Sequence, residues 1–122
     1  MYIFRAVLRI QLKMFDDALQ DLAHAEFLSE ESDDTIYSTR AQCFYAMGQY
    51  DSALREIGAA IEISENHWNH YFYRGLIRYR LNDTEGCHED IKKVQEHKGP
   101  SGSIDHLMSL LDRQRRFAEL VD

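Results

Sequence analysis

Six histidines, two cysteines and 21 carboxylates are the side chains of this 122-residue chain that could hold a metal or move a proton. Their spacing decides whether they do. His67 and His70 stand three apart beside Trp68, which would put two imidazoles on one helix face, able to share a metal ion. No third ligand lies near them, and the chain contains neither His-Glu-x-x-His nor Cys-x-x-Cys. Both are therefore read as exposed polar residues at a helix start. His88 and Glu89 are neighbours and point to different sides of a helix, while His24, His97 and His106 are isolated. The segment Gly99-Pro100-Ser101-Gly102 lacks the Lys-Ser/Thr pair that handles a nucleotide, so it reads as a turn. Cys43 and Cys87 fall on different predicted helices with nothing nearby to acidify a thiol, and they suit small buried positions in a reducing compartment. No catalytic residue, metal or cofactor is expected.

The charged side chains follow a rule of their own. Arg5 and Asp21, Arg40 and Glu56, Arg74 and Asp90 are separated by one and the same interval. Three cations lining a groove for an acidic ligand would be one reading. The constant offset favours another, an ion pair between two helices written three times. Arg40→Ala is then expected to lower stability more than binding.

The elements that carry these residues repeat as well. Ala18, Ala53 and Cys87 recur with a period of about 35 residues, a length that means stacked supersecondary units. Around them the first block reads Tyr2, Arg5, Ala6, then Phe15, Ala18, Asp21, Leu22 and Ala25. The second reads Tyr37, Arg40, Ala41, then Tyr50, Ala53, Glu56, Ile57 and Ala60. The third reads Tyr71, Arg74, Gly75, then Thr84, Cys87, Asp90, Ile91 and Val94. Tyr37, Ala41, Phe44 and Tyr45 recur at i, i+4, i+7 and i+8, and Ala53, Ile57, Ala60 and Ile61 do the same, so each block holds two amphipathic helices. Asp33 or Asp34 can cap the first helix of the second block. Gly48 suits the turn, and Asn82-Asp83 can replace it because Asn and Asp tolerate left-handed backbone.

The pattern Tyr37, Ala41, Gly48, Tyr50, Ala53, Ile57 and Ala60 resembles the tetratricopeptide repeat, and three copies in register cover about residues 1–98. The first block has Lys13 where the turn glycine stands, and the third has Thr84 and Cys87 for the aromatic and the alanine. The resemblance implies an all-α fold, a right-handed α-α superhelix of three helix–turn–helix repeats over about 1–32, 34–67 and 68–100. Together with a C-terminal helix over about 103–120, they would form a single domain. It also implies a non-enzymatic protein-interaction module or adaptor that binds a peptide or helix in a concave groove. The branch that clamps chaperone C-terminal carboxylates has Lys, Asn and Arg on that face. Here Ile3, Val7, Thr39, Asn69 and Tyr73 stand at those places, so a mixed or apolar ligand is favoured. The expected partner-binding residues are Gln42, Tyr45, Phe72, Leu76, Tyr79 and Arg80. Phe72, Leu76 and Tyr79 lie at i, i+4 and i+7, which suits either an exposed strip for a partner or a core strip under the next helix.

Ser103 can cap the last helix, which runs to about Leu120 and whose apolar side carries Ile104, Leu107, Met108, Leu111 and, further on, Phe117, Leu120 and Val121. This helix could cap the array, or enter a groove of its own or of a second copy as an autoinhibitory latch or a homodimer contact; a structural or self-association module of a larger protein is the alternative function. The formal charge of −7 and the lack of a basic arm argue against nucleic acid. Arg113, Arg115 and Arg116 are read as a solvated helix end favoured by the dipole. No apolar run approaches membrane-spanning length and no signal-peptide pattern occurs, so a cytoplasmic protein is expected. With no cap ahead of Tyr2, a piece of a longer protein is also expected.

Overall fold

A computed structural model describes residues 2–121. Among the described residues there are seven helices and no strand. The chain divides into two compact units, Met1–Glu65 and Asn66–Asp122.

The first unit holds α1 (Tyr2–Gln11), α2 (Phe15–Leu28), α3 (Asp34–Ala46) and α4 (Tyr50–Ile63). α1 and α2 form one hairpin, α3 and α4 the next, and α3 packs on both helices of the first hairpin. Ala6, Ala18, Leu22, Ile36 and Cys43 form one buried cluster of it, and Ala41, Ala53, Ile57 and Ala60 are buried as well. Small side chains at Ala6 and Ala18 let the two helix backbones approach closely, which is why the repeat keeps those positions small. Of the two candidate caps for α3, Asp33 serves: its carboxylate accepts from the Thr35 backbone N–H at 2.9 Å.

The second unit holds α5 (Trp68–Arg80), α6 (Thr84–Glu96) and α7 (Ser101–Val121). α5 and α6 form a hairpin, and α7 packs on both. Cys87, Ile91, Leu107 and Leu111 form its core. α7 begins at Ser101, so Ser103 lies inside the first turn, where its Oγ donates to the Pro100 carbonyl at 2.6 Å. The expected Ser103 cap is thus corrected. The fixed φ of Pro100 already suits helix entry, and the helix starts directly after it.

One device makes all three hairpin turns. Lys13, Gly48 and Asn82 take φ of 61°, 80° and 62°. The residue after each donates its N–H back to the preceding helix: Met14 to Arg9, Gln49 to Phe44 and Asp83 to Arg78, at 2.8, 2.9 and 2.8 Å. This is the Schellman closure, which satisfies carbonyls that a helix end leaves open.

Candidate protein-binding site

The charged pairs determine which cations are left to face a ligand. Arg5 Nη2 lies 2.6 Å from Asp21 Oδ1 and Arg74 Nη2 lies 2.7 Å from Asp90 Oδ1. Arg40 is held more loosely, 3.3 Å from Glu56 and 3.4 Å from Glu26. Each Arg also sits over the ring of the tyrosine one helical turn before it, at 5.2, 5.6 and 5.3 Å for Tyr2, Tyr37 and Tyr71. Arg5 and Arg74 are therefore engaged inside their own hairpins, while Arg40 also reaches Glu26 of the preceding one. Sequence reasoning missed a second cation: Arg9 reaches Asp21 at 2.8 Å, and Arg78 reaches Asp90 at 3.2 Å. In the middle repeat Phe44 holds that position, so the pattern is present in only two blocks.

Asp21 and Asp90 are both buried. The hydrogen-bonded Arg5 guanidinium holds the Asp21 carboxyl below its ordinary range. Burial pushes the Asp90 carboxyl up, against the pull of Arg74 and Arg78. The two thiols are free and buried, and burial raises both, Cys87 to about 11. Protonated and covered, neither thiol is a nucleophile.

His67 and His70 lie with ring centres 5.3 Å apart, but His70 is buried rather than exposed as expected. It is the counterpart, one repeat on, of Ile36, a position that the repeat buries. Among the described residues no group of three or more His, Cys, Asp or Glu is placed to hold a metal. Arg113, Arg115 and Arg116 do not mark a helix end, since α7 continues to Val121. Arg115 and Arg116 instead pair with Asp112 at 2.8 and 3.2 Å.

The six expected binding residues separate between the units. Gln42 and Tyr45 are half-buried on α3, with Tyr45 edge-on to Tyr50 at 5.5 Å. Phe72, Leu76 and Tyr79 are half-buried on α5 and pack against the core of the second unit together with Ile104 of α7. Of the two readings of that strip, the structure therefore supplies a cover: α7 lies on it. Arg80 is exposed, with its guanidinium over the Tyr79 ring at 5.7 Å.

Tyr79 and Arg80 open onto a cleft of about 450 Å³ between the end of α5 and α7. Asn82, Arg113, Gln114 and Phe117 complete it. Gln114 Nε2 donates to Asn82 Oδ1 at 2.9 Å, tying α7 to the α5–α6 turn. Phe117 is 68% exposed at its mouth. The cleft thus combines two guanidinium groups, two aromatic rings and a pair of amides. Arg113 and Phe117 were missed, although their i, i+4 spacing on a helix was a signal that they share a face.

No family model and no curated protein sequence matches the chain. Solved structures do. The Sgt2 TPR domain from Aspergillus fumigatus superposes with a TM-score of 0.83 at 19% identity, over 97% of this chain and 79% of that one. The fold is the tetratricopeptide-repeat fold. Two further solved structures share it. The translocator chaperone SycD of Yersinia enterocolitica matches at TM-score 0.79 and 17% identity, over 97% of this chain and 83% of that one. PcrH of Pseudomonas aeruginosa matches at TM-score 0.77 and 16% identity, over 92% of this chain and 87% of that one. Other PcrH structures hold the chaperone binding regions of PopB and of PopD. The all-α helical-repeat class expected from the period of the sequence is therefore the observed one, a tetratricopeptide-repeat fold in which α1–α2, α3–α4 and α5–α6 are the three hairpins.

Proposed function

We propose that this chain is a non-enzymatic protein-interaction module or adaptor, and that the α5–α7 cleft takes a peptide or helix of a partner protein. The cleft itself carries the reading. Arg80 and Arg113 supply charge for a carboxylate, Tyr79 and Phe117 supply flat apolar walls, and the Asn82–Gln114 amides offer hydrogen bonds to an incoming backbone. Aromatic and Arg side chains in a concavity are the typical anchors of a protein interface. The PcrH structures that hold PopB and PopD regions are support from a chain of the same fold. An acidic segment bearing one large apolar side chain is the ligand class that fits. Gln42 and Tyr45 are proposed as contacts of the first unit, and two buried free thiols suit a cytoplasmic location.

The test is affinity capture from source-cell lysate with wild type and an R80E/F117A variant. Both side chains are exposed, so the variant should melt as wild type does. Proteins retained by wild type and lost by the variant are the expected result; equal capture by the two removes the cleft from binding.

Self-association is the alternative that the exposed apolar side chains of α1 and α7 favour. Phe4, Leu8 and Leu12 form an apolar stripe at i, i+4 and i+8 of α1 and the residue after it, and are 72, 44 and 70% exposed. On α7, Phe117 and Leu120 are exposed as well. Light scattering across a concentration series decides it: a stable dimer abolished by Phe4→Glu or Leu120→Glu favours assembly, a monomer the adaptor.

A further inference from the structure

The repeat does not stop at the third hairpin. The small residue that lets two helices of a hairpin meet recurs as Ala6, Ala41 and Gly75, and one repeat further on stands Ser109, on α7. α7 sits on the preceding hairpin as α3 does, touching both of its helices. Leu107 and Leu111 are the counterparts, two repeats on, of Thr39 and Cys43, and all four are buried. α7 is thus the first helix of a fourth repeat in register and in packing.

Its hairpin face is open. Ala6, Ala41 and Gly75 are buried, whereas Ser109 is exposed. At Gly75 the fit is tight: an added Cβ would lie 3.4 Å from Asp90 Cβ on α6 and 3.1 Å from Leu107 on α7. At Ser109 the space that a second helix would fill is a groove of about 680 Å³, lined by Thr84 and His88 of α6 and by Asp105, Met108, Ser109, Leu111, Asp112 and Arg115 of α7. α7 itself does not turn back to fill it. The turn residues Lys13, Gly48 and Asn82 correspond to Arg116, which lies within a helix running on to Val121.

The charge on this face is reversed. Where Arg9 and Arg78 each reach an acid on their partner helix, α7 has Asp112; where Arg5, Arg40 and Arg74 stand, it has Met108. The bonds from Asp112 to Arg115 and Arg116 lie at the solvent surface, where an ion pair is weak and exchangeable.

We propose that the open face of α7, Asp105-Met108-Ser109-Asp112 with the adjoining rim of α6, docks an amphipathic helix of a partner protein that carries a basic residue where this chain's own second helices carry an acid. This rests on the reading of the chain as a protein-interaction module, but uses other residues of α7 than the α5–α7 cleft does. The second helices of the three hairpins define the rest of the ligand: a small residue, the charged residue three on, and an aliphatic residue next to it, as in Ala18, Asp21 and Leu22. The docked helix keeps that spacing with Lys or Arg at the charged position, so that it meets Asp112 and leaves its aliphatic residue on Met108.

The probe is a helix-stapled peptide of the α2 sequence Phe15–Leu28 carrying D21R, with the unaltered peptide as control, titrated by fluorescence anisotropy. Wild type should bind the D21R peptide about tenfold more tightly than the control. A D112R protein should reverse that preference. S109W, which fills the close-approach position, should abolish binding of the D21R peptide while circular dichroism and melting stay unchanged. R80E/F117A should bind it as wild type does, so loss of the cleft and loss of this face read out separately. No saturable binding, equal affinity for both peptides, or a preference that D112R leaves in place overturns the proposal. A wild-type dimer that S109W dissociates also overturns it, by giving the face to a second copy.

Discussion

Asp21 and Asp90 occupy the same position of their repeats, each between two guanidinium groups, yet their carboxyls shift in opposite directions. Asp21 is held below its ordinary value of 3.8 by the hydrogen bonds from Arg5. Its ionised form therefore stabilises the fold above that value, and the contribution is lost as pH falls through the depressed folded value. Asp90 is raised by burial. Folded Asp90 takes up its proton before the unfolded chain does, so this residue adds stability as pH falls toward 3.8. In urea melts from neutral pH into acid, the advantage of wild type over Asp21→Asn should shrink with acid and its advantage over Asp90→Asn should grow. Parallel profiles for the two variants would contradict that assignment. At neutral pH the arginines should rank by how completely their acids are buried. Arg74→Ala leaves Asp90 with Arg78 alone and should cost about 3 kcal/mol. Arg40→Ala, whose partners are solvent-accessible and 3.3 and 3.4 Å away, should cost about 0–1 kcal/mol. Chemical denaturation of the two variants under one condition checks the order.

The hairpins depend on turns as much as on packing. Lys13 takes the left-handed conformation that Gly48 takes freely, and a side chain there costs about 1–2 kcal/mol. Lys13→Gly keeps the Met14-to-Arg9 closure and removes that penalty, offset partly by the greater freedom of glycine in the unfolded chain. A gain of about 0.5–1 kcal/mol is expected, read as a rise of a few degrees in the melting of the first unit; a fall would mean that Lys13 makes a contact outweighing its backbone. The six hairpin helices and the Arg–acid pairs were legible because each is written three times at a constant offset, whereas the left-handed turn shows as a glycine only at Gly48 and Lys13 gave no sign of it. Features that occur fewer times were not legible. Arg9 and Arg78 share a role, but Phe44 breaks the series between them. His70 reads by residue type as exposed, although Ile36 already marks its position as buried. Phe72, Leu76 and Tyr79 declare an apolar face by their spacing, but spacing says nothing of what covers it, which here is a helix beyond the next one in the chain. The cleft at Arg80 escaped for the same reason, since half of it belongs to α7.

At the scale of the whole molecule, the chain is acidic, with a net charge of −7, and no described helix is long and apolar enough to cross a membrane. Its second unit has one hairpin where the first has two, and α7 supplies what that hairpin cannot cover by itself. Leu107 is fully buried and Leu111 nearly so, against Cys87 and Ile91 on one side and the Phe72-Leu76-Tyr79 strip on the other. Burying a large aliphatic side chain is worth about 1.5–3 kcal/mol, so Leu107, Leu111 and Ile104 together contribute about 5 kcal/mol. That is comparable with the total stability of a small domain, about 5–15 kcal/mol. If α7 were a latch laid over a site formed without it, a chain ending at Gly99 would stay folded and bind partners more strongly. If α7 completes the core, the same truncation exposes Phe72, Leu76, Tyr79 and Ile91 at once, and an apolar patch of that kind drives aggregation. The packing supports the second outcome. The truncated chain should lose helix content beyond that of α7 itself, bind a hydrophobic dye and pellet on concentration. Leu107→Ala in the full chain should cost about 3 kcal/mol without removing the helix. A truncated chain that melts cooperatively near the wild-type temperature would make α7 a removable cover, and the strip on α5 would then be a binding surface in its own right.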